Sequence, residues 1–485
     1  MSDSKSKSLK TNFVFYCIKS LMAVIFPLIS FPYASRVLGV EGIGTVQYCT
    51  SVISYFTLIA GLGISTYAIR EGAKVKHNHS LFSKLILEIF TINLISTFIA
   101  YILLFAGILL HLFDGYIPVL LACSLTTLFT TLSVEWIYQA QEEYVYISIR
   151  TILTQLISLI MLFLFVRSSH DTVSYSLVLS FSSGGYCLVN LITVRKYIDF
   201  KHKEPLELQK HIKNILIIFS TNIASSIYLN LDVLMIGYFS DNYQVGLYSA
   251  ATKINIIIRS LINSASTVLM PRLTYYQAQK KQDQYLTLLQ KGMQFAIMIS
   301  LSCAMGLATL SKDLIHLING IDFISAAPAC CILAFNMIFS ILDNVIYTQI
   351  LIPNGSEKDG CTGTIIGALS NLCLNALFIP FLGINGAAIA SLIAELIVFL
   401  YFIWIMHKSL NIKFLFHECY KPLIASIGIL LIVFMSKAII QNYILRIFFS
   451  IVFAVIIYFG ILLLLNFSLI KDELNILKSK IHSLH

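Results

Sequence analysis

Fourteen long apolar runs, separated by short polar breaks, fill most of this 485-residue chain. They fall at about 12–34, 43–69, 83–112, 116–138, 146–166, 172–194, 214–238, 246–270, 290–311, 324–351, 361–381, 385–406, 422–440 and 447–468. Roughly 20 apolar residues in helical form cross the hydrocarbon core of a bilayer, where a backbone without water must satisfy its own amides. A composition of 58% hydrophobic and 12% charged residues, with a mean hydropathy of +0.83, leaves little from which to build a water-soluble domain. The chain therefore reads as an all-α, polytopic membrane protein of about fourteen transmembrane helices. Within the first run, Pro27 removes a backbone donor and predicts a kink. That run also reads as a retained span rather than a cleaved signal peptide, because Lys19, Pro27 and Pro32 interrupt it.

The net charge of +9 is best explained by loops rather than by nucleic acid. Of 33 basic residues, 23 lie at the two ends of the chain and in alternate loops, among them Arg70, Lys74, Lys76, Arg195, Lys196, Lys210, Arg272, Lys291 and Lys471. The opposite loops hold Arg36, Arg167, Lys312 and Arg446. Basic residues stay on the cytosolic side of a membrane, so this asymmetry predicts cytosolic N- and C-termini.

The stretch Asn222–Ser249 joins an apolar span carrying Asp232 to a short polar loop and the start of another span. Its ending, VGLYSAATKI from Val245, faintly echoes IGTVQYCTSV from Ile43, at an offset of 202 residues. Gly246 falls over Gly44 and Lys253 over Ser51. Two halves built alike are expected, with the charged stretch 196–213 as their connector.

Charges inside the spans narrow the function, since each costs roughly 2.5–3.5 kcal/mol on insertion scales. Thr252, Asn255, Arg259, Asn263 and Ser266 recur at spacings of three and four and share one helix face. Such a stripe faces either a polar seam with neighbouring helices or an aqueous cavity. Asn336, Ser340, Asp343 and Tyr347 repeat the pattern, and Asn222, Ser225, Ser226 and Asp232 form a third set. Asp232 and Asp343 are candidate counter-charges to Lys253 and Arg259, or proton-linked coupling groups. In the first half, Lys19 shares a face with Asn12 and Tyr16, while Arg150, Thr154 and Ser158 follow one another at i, i+4, i+8. Lys84 and Glu88 are read as a local i, i+4 pair, Glu135 as a solvated interfacial residue, and Glu395 and Lys437 as charges without an identifiable partner. The interior thus offers Lys19, Arg150, Lys253 and Arg259, with Asn255, Asn263 and Asn336, as a cationic, hydrogen-bonding lining. Phosphate is the commonest anion that such a lining fits.

Several chemistries find no support. The sequence has no Gly-x-x-x-x-Gly-Lys-Ser/Thr loop for a nucleotide. The ten cysteines show no C-x-x-C pair and read as packing residues, and no His/Asp set or paired carboxylates occupy an outward loop. Neither a cofactor nor a metal is implied, and a transporter is favoured over an enzyme.

The ordered motifs resemble one known family. They are Tyr33-Ala34-Ser35-Arg36-Val37-Leu38-Gly39 with Glu41-Gly42-Ile43-Gly44, Gly63-Ile64 to Arg70-Glu71, and Glu135-Trp136-Ile137-Tyr138-Gln139-Ala140. Asp232 with Gly237, Val245-Gly246-Leu247-Tyr248-Ser249-Ala250-Ala251, Asn375 to Pro380 and Gly383-Ile384-Asn385-Gly386-Ala387-Ala388 follow. Their order resembles the polysaccharide-transporter branch of the multidrug/oligosaccharidyl-lipid/polysaccharide exporter superfamily, and in particular the flippases for O-antigen or capsule repeat units. The last two spans carry no motif.

The resemblance implies two six-helix bundles plus two C-terminal helices. On the present numbering these are residues 1–195, a linker at 196–213, residues 214–410, and a final segment at 411–485. It implies alternating access in a bacterial cytoplasmic membrane, with undecaprenyl-diphosphate-linked oligosaccharide and membrane lipid as partners and a polymerase of the same pathway as a further one. A cation-coupled multidrug exporter of the same fold would favour an acidic, aromatic interior, against the cationic lean found here. A polytopic glycan polymerase or ligase would need a large outward loop bearing Arg or His, which the sequence lacks.

Overall fold

A computed structural model describes residues 9–199, 205–407 and 412–472. Lys5, Lys7, Lys201, Lys203, Lys408, Lys478 and Lys480 lie outside the described residues, as do the side chains of Lys10, Asn12, Tyr16, Ser225, Ser266 and Lys413.

The described chain is helical throughout, without a strand. The first part runs α1 (Leu9–Gly61), α2 (Ile64–Val75), α3 (His79–Leu109), α4 (Ile117–Ser133), α5 (Glu135–Ala140), α6 (Tyr144–Phe165), α7 (Thr172–Gly184), α8 (Cys187–Thr193) and α9 (Gln209–Phe239). There follow α10 (Asn242–Ala278), α11 (Gln282–Asn319), α12 (Ala327–Ile346), α13 (Glu357–Met406), α14 (Ile412–Leu415), α15 (Tyr420–Ile439) and α16 (Tyr443–Leu464). Among the described residues, eleven helical stretches are long and apolar enough to cross a membrane. Two of them run 58 and 50 residues, enough for two crossings each. With both legs of those two counted and the 31-residue α9 added, the arrangement accommodates the fourteen expected spans.

Both double-length helices bend at a glycine. Gly39 in α1 has φ +71° and Gly383 in α13 has φ +56°, a region that a side chain with a Cβ rarely enters. The non-helical backbone of α1 lies at Gly39, where the backbone reverses handedness, while Pro27 stands inside the helix. The two legs of α13 fold back on one another, with Asn371 Nδ2 donating to Ser391 Oγ at 3.3 Å.

Two compact units emerge, Met1–Gly237 and Tyr238–His485. The division falls one helix beyond the 196–213 connector expected from sequence. The reason is the packing of α9, whose Ile218 and Asn222 lie against Gly63 and whose Gly237 lies against the ring of Tyr48. In the first unit a core of Ile64, Tyr67, Phe82, Ile86, Trp136 and Tyr138 ties α2, α3 and α5 together. In the second, Met293, Ile297, Met337, Ile341, Val345 and Phe402 join α11, α12 and α13. The helices α15 and α16 dock on α11 through Met298, Ile429, Val433 and Tyr458, and the Tyr458 hydroxyl donates to the Met298 carbonyl at 2.7 Å. Outward faces are apolar: Phe98, Ile102, Leu153, Ile160, Phe448 and Ile456 are exposed, as lipid-facing residues are.

Candidate functional site

In the first unit, α4 ends where Val134 takes a left-handed conformation, φ +40°, which is strained for a β-branched residue. The break starts the six-residue helix α5 and sets Glu135 at its first position. There Glu135 is a collecting point. Lys19 Nζ approaches its Oε1 at 2.9 Å, Gln139 Nε2 donates to Oε1 at 3.0 Å, and the Tyr186 hydroxyl donates to Oε2 at 2.7 Å. The Arg150 guanidinium lies 3.4 Å from Oε2. Three tyrosine rings hold that guanidinium, with its carbon 4.1 Å from the Tyr186 centroid and 5.5 Å from those of Tyr138 and Tyr146. Cation–π contacts of this kind are worth about 0.5–2 kcal/mol each, the upper values for desolvated groups.

The structure thus brings Lys19 and Arg150 together, although they come from α1 and α6. It corrects the expectation for Glu135, which is not a solvated interfacial residue: only 18% of its side chain is exposed, and it is paired. An acid at the start of a short amphipathic segment reads as an interfacial group when its partners are unknown, and those partners lie 116 residues before it and 51 after it.

In the second unit, α10 and α12 set their polar stripes against each other. Arg259 Nη1 donates to Ser340 Oγ at 2.8 Å and lies 3.9 Å from Glu395 Oε1 on α13. Asn255 Nδ2 donates to the Ala251 carbonyl at 2.9 Å and lies 3.8 Å from Cys330 Sγ. Asn336 is buried on α12, and Asn263 and Lys253 are half-buried on α10. Asp343 is buried beside Glu395, so two carboxyl groups and one guanidinium share this seam. Glu395, which sequence left without a partner, is therefore the carboxylate facing Arg259, and Asp343 is its neighbour. Asp232 belongs to the first unit, close to Tyr55.

Two other sequence expectations need correction. Lys84 Nζ reaches beyond its own helix, to Glu207 Oε1 at 3.2 Å. Glu88 instead accepts from His211 Nε2 at 2.8 Å and from the Glu207 amide at 2.8 Å, and it pairs with Lys210 at 3.2 Å. The segment before α9 folds over α3 and offers stronger partners than a neighbour one turn away. Lys437 is likewise satisfied, donating to the Thr309 carbonyl at 2.7 Å.

Residues 9–277, more than half of the chain, match the family described as polysaccharide biosynthesis protein. The chain belongs to that family. A family relative from Shigella dysenteriae, provisionally named an O-antigen transporter, is 22% identical over 388 residues, covering 78% of this chain and 94% of the relative. The capsular polysaccharide biosynthesis protein CapF of Staphylococcus aureus is 22% identical over 395 residues, covering 80% and 96%. Among solved structures, the lipid II flippase MurJ in an inward closed conformation superposes with a TM-score of 0.74 at 16% identity, over 92% of this chain and 98% of that one. An inward-facing multidrug resistance transporter of the MATE family gives 0.59 at 14% identity, over 82% and 100%. At such identities the likeness is one of fold. It places this polysaccharide biosynthesis family member in the MurJ- and MATE-like architecture of multi-pass membrane transporters.

Proposed function

We propose that this protein is a flippase that moves undecaprenyl-diphosphate-linked oligosaccharide repeat units across the cytoplasmic membrane by alternating access, for O-antigen or capsular polysaccharide. One observation carries the reading: a member of a polysaccharide biosynthesis family holds Lys19 and Arg150 together inside apolar helices. Cations kept in a membrane at such cost call for an anionic partner, and a diphosphate supplies one. The names of the relatives and the MurJ-like fold agree with it.

The candidate contacts for the cargo's head group are Lys19 and Arg150 within the first unit and, taken separately, Lys253, Asn255, Arg259, Asn263 and Asn336 within the second, while the prenyl chain stays in lipid. The bundles expected at 1–195 and 214–410, joined at 196–213, are the moving bodies of this reading, with α9 carried by the first, on which it packs, and 411–485 is an accessory segment. The basic loops face the cytosol, with both termini, and a polymerase of the same pathway receives the product. Asp343 and Glu395 outnumber Arg259, and a proton or cation from a gradient neutralises that excess; Asp232 is a second coupling candidate.

The test is complementation of a strain lacking the gene. Arg259→Ala, expressed and inserted at wild-type levels, is expected to abolish surface polysaccharide. Normal polysaccharide in the strain without the protein sinks the flippase reading. Normal polysaccharide with Arg259→Ala removes Arg259 from the substrate path.

A further inference from the structure

The cluster around Glu135 carries more positive charge than it needs. Two full cations and two neutral donors converge on one carboxylate, leaving one positive charge in excess. Arg150 is the group least well served. Only 5% of its side chain is exposed, yet none of Nε, Nη1 and Nη2 makes a hydrogen bond among the described residues. Its 3.4 Å approach to Glu135 is an ion pair without hydrogen-bond alignment. A guanidinium cannot escape by losing its proton, and buried donors left without acceptors are costly. The acceptor that matches its fork is a planar or tetrahedral oxyanion taken by two N–H groups at once.

Glu135 can afford to let the cations go. With Lys19 and Arg150 turned to another anion, its carboxylate keeps a hydrogen bond to each oxygen, from Gln139 to Oε1 and from Tyr186 to Oε2. Arg150 keeps its three tyrosine faces. The exchange hands the two cations from one anion to another, and Glu135 keeps two hydrogen bonds through it.

We propose that Glu135 is an exchangeable internal anion, which neutralises Lys19 and Arg150 in the unloaded protein and yields them to the phosphate groups of the incoming lipid head. This rests on the flippase reading and adds a positioning residue to it. Glu135 holds the two cations converged on one carboxylate and sets how tightly they take their cargo. Removing its charge strengthens anion binding, whereas a purely structural acid would give no such gain.

The experiment uses the full chain, purified in detergent, with inorganic pyrophosphate as probe and titration calorimetry as readout. Glu135→Gln is expected to bind pyrophosphate on the order of tenfold more tightly than wild type. Arg150→Gln and Lys19→Gln are each expected to bind on the order of tenfold more weakly. Should Glu135→Gln fail to fold, Glu135→Asp keeps the charge but withdraws it by one methylene, and severalfold tighter binding is expected. Binding that is unchanged or weaker in the Glu135 variants overturns the exchange, as does binding indifferent to Arg150→Gln. Export that needs the protein, with no pyrophosphate binding by any variant, overturns the exchange and leaves the flippase reading standing. Export that does not need the protein overturns the flippase reading, whatever the titrations give.

Discussion

Lys19 Nζ lies 2.9 Å from Glu135 Oε1, so an ion pair links the first helix to a residue 116 positions later. Arg150 shares the same carboxylate, and the three residues come from α1, α5 and α6. Charges that are separately unfavourable in a membrane are placed where each lessens the cost of the others. That arrangement makes them interdependent.

Interdependence predicts non-additive mutations. Lys19→Met leaves Glu135 with Arg150, and Arg150→Met leaves it with Lys19. The double variant strands a largely buried carboxylate without a cation. Its loss of stability is expected to exceed the sum of the single losses by about 0.5–3 kcal/mol, read from unfolding in detergent. Strict additivity would show that the two cations do not share Glu135.

The C-terminal helices depend on one polar anchor. Arg446 Nε donates to Asp313 Oδ2 at 2.8 Å, with a second bond from Nη2 to Oδ1, joining the start of α16 to the end of α11. Asp313→Ala leaves a partly buried guanidinium without its anion and is expected to cost about 3 kcal/mol. Hydrogen exchange along α16 should accelerate well before that in α12. Equal protection in wild type and variant would mean that the apolar contacts at Ile429, Val433 and Tyr458 suffice.

Glu88 fixes the entry to α9. Its Oε1 accepts the Glu207 amide at 2.8 Å, and its Oε2 accepts from His211. Hydrogen bonds to charged groups contribute about 1.5–3 kcal/mol, so in Glu88→Ala the Glu207 amide is expected to exchange at least about tenfold faster. An unchanged rate would show that the segment is held by Lys84 and Lys210 alone.

The same segment responds to acid. A hydrogen bond from Lys84, and then the charge of Lys210, hold the Glu207 carboxyl below its ordinary value. A depressed carboxyl stabilises the fold in full above its unfolded value of about 4.3 and loses that contribution as pH falls through the folded value beneath it. Exchange protection at residues 207–211 is therefore expected to hold from neutrality to about pH 5 and to fall below pH 4. In Glu207→Gln that acid-dependent step should be reduced; an identical profile would assign it to another group.

Coupling gives a functional prediction. Asp232→Asn is expected to weaken the dependence of export on a proton or cation gradient, measured as surface polysaccharide formed before and after collapse of the gradient. Export by wild type that is indifferent to the gradient would exclude coupling through any of the three acids Asp232, Asp343 and Glu395.

The number and order of the spans were legible in the residues alone. A backbone in lipid must close its own hydrogen bonds, so an apolar run of about twenty residues has one solution, whatever surrounds it. Each polar stripe was legible as one face, from the spacing of Asn255, Arg259 and Asn263; that this face meets α12 through the Arg259–Ser340 bond was not. What tertiary structure decided is which charge meets which. Glu135, Glu88 and Glu395 each looked solvated, locally paired or alone, and each proved to hold partners from distant helices. An ion pair needs a few ångströms of proximity, which helix packing sets and sequence separation does not. The bend at Gly39 and the attachment of α9 to the first unit belong to the same class. Periodicity fixes faces along one helix; the meeting of faces is a property of the assembled bundle.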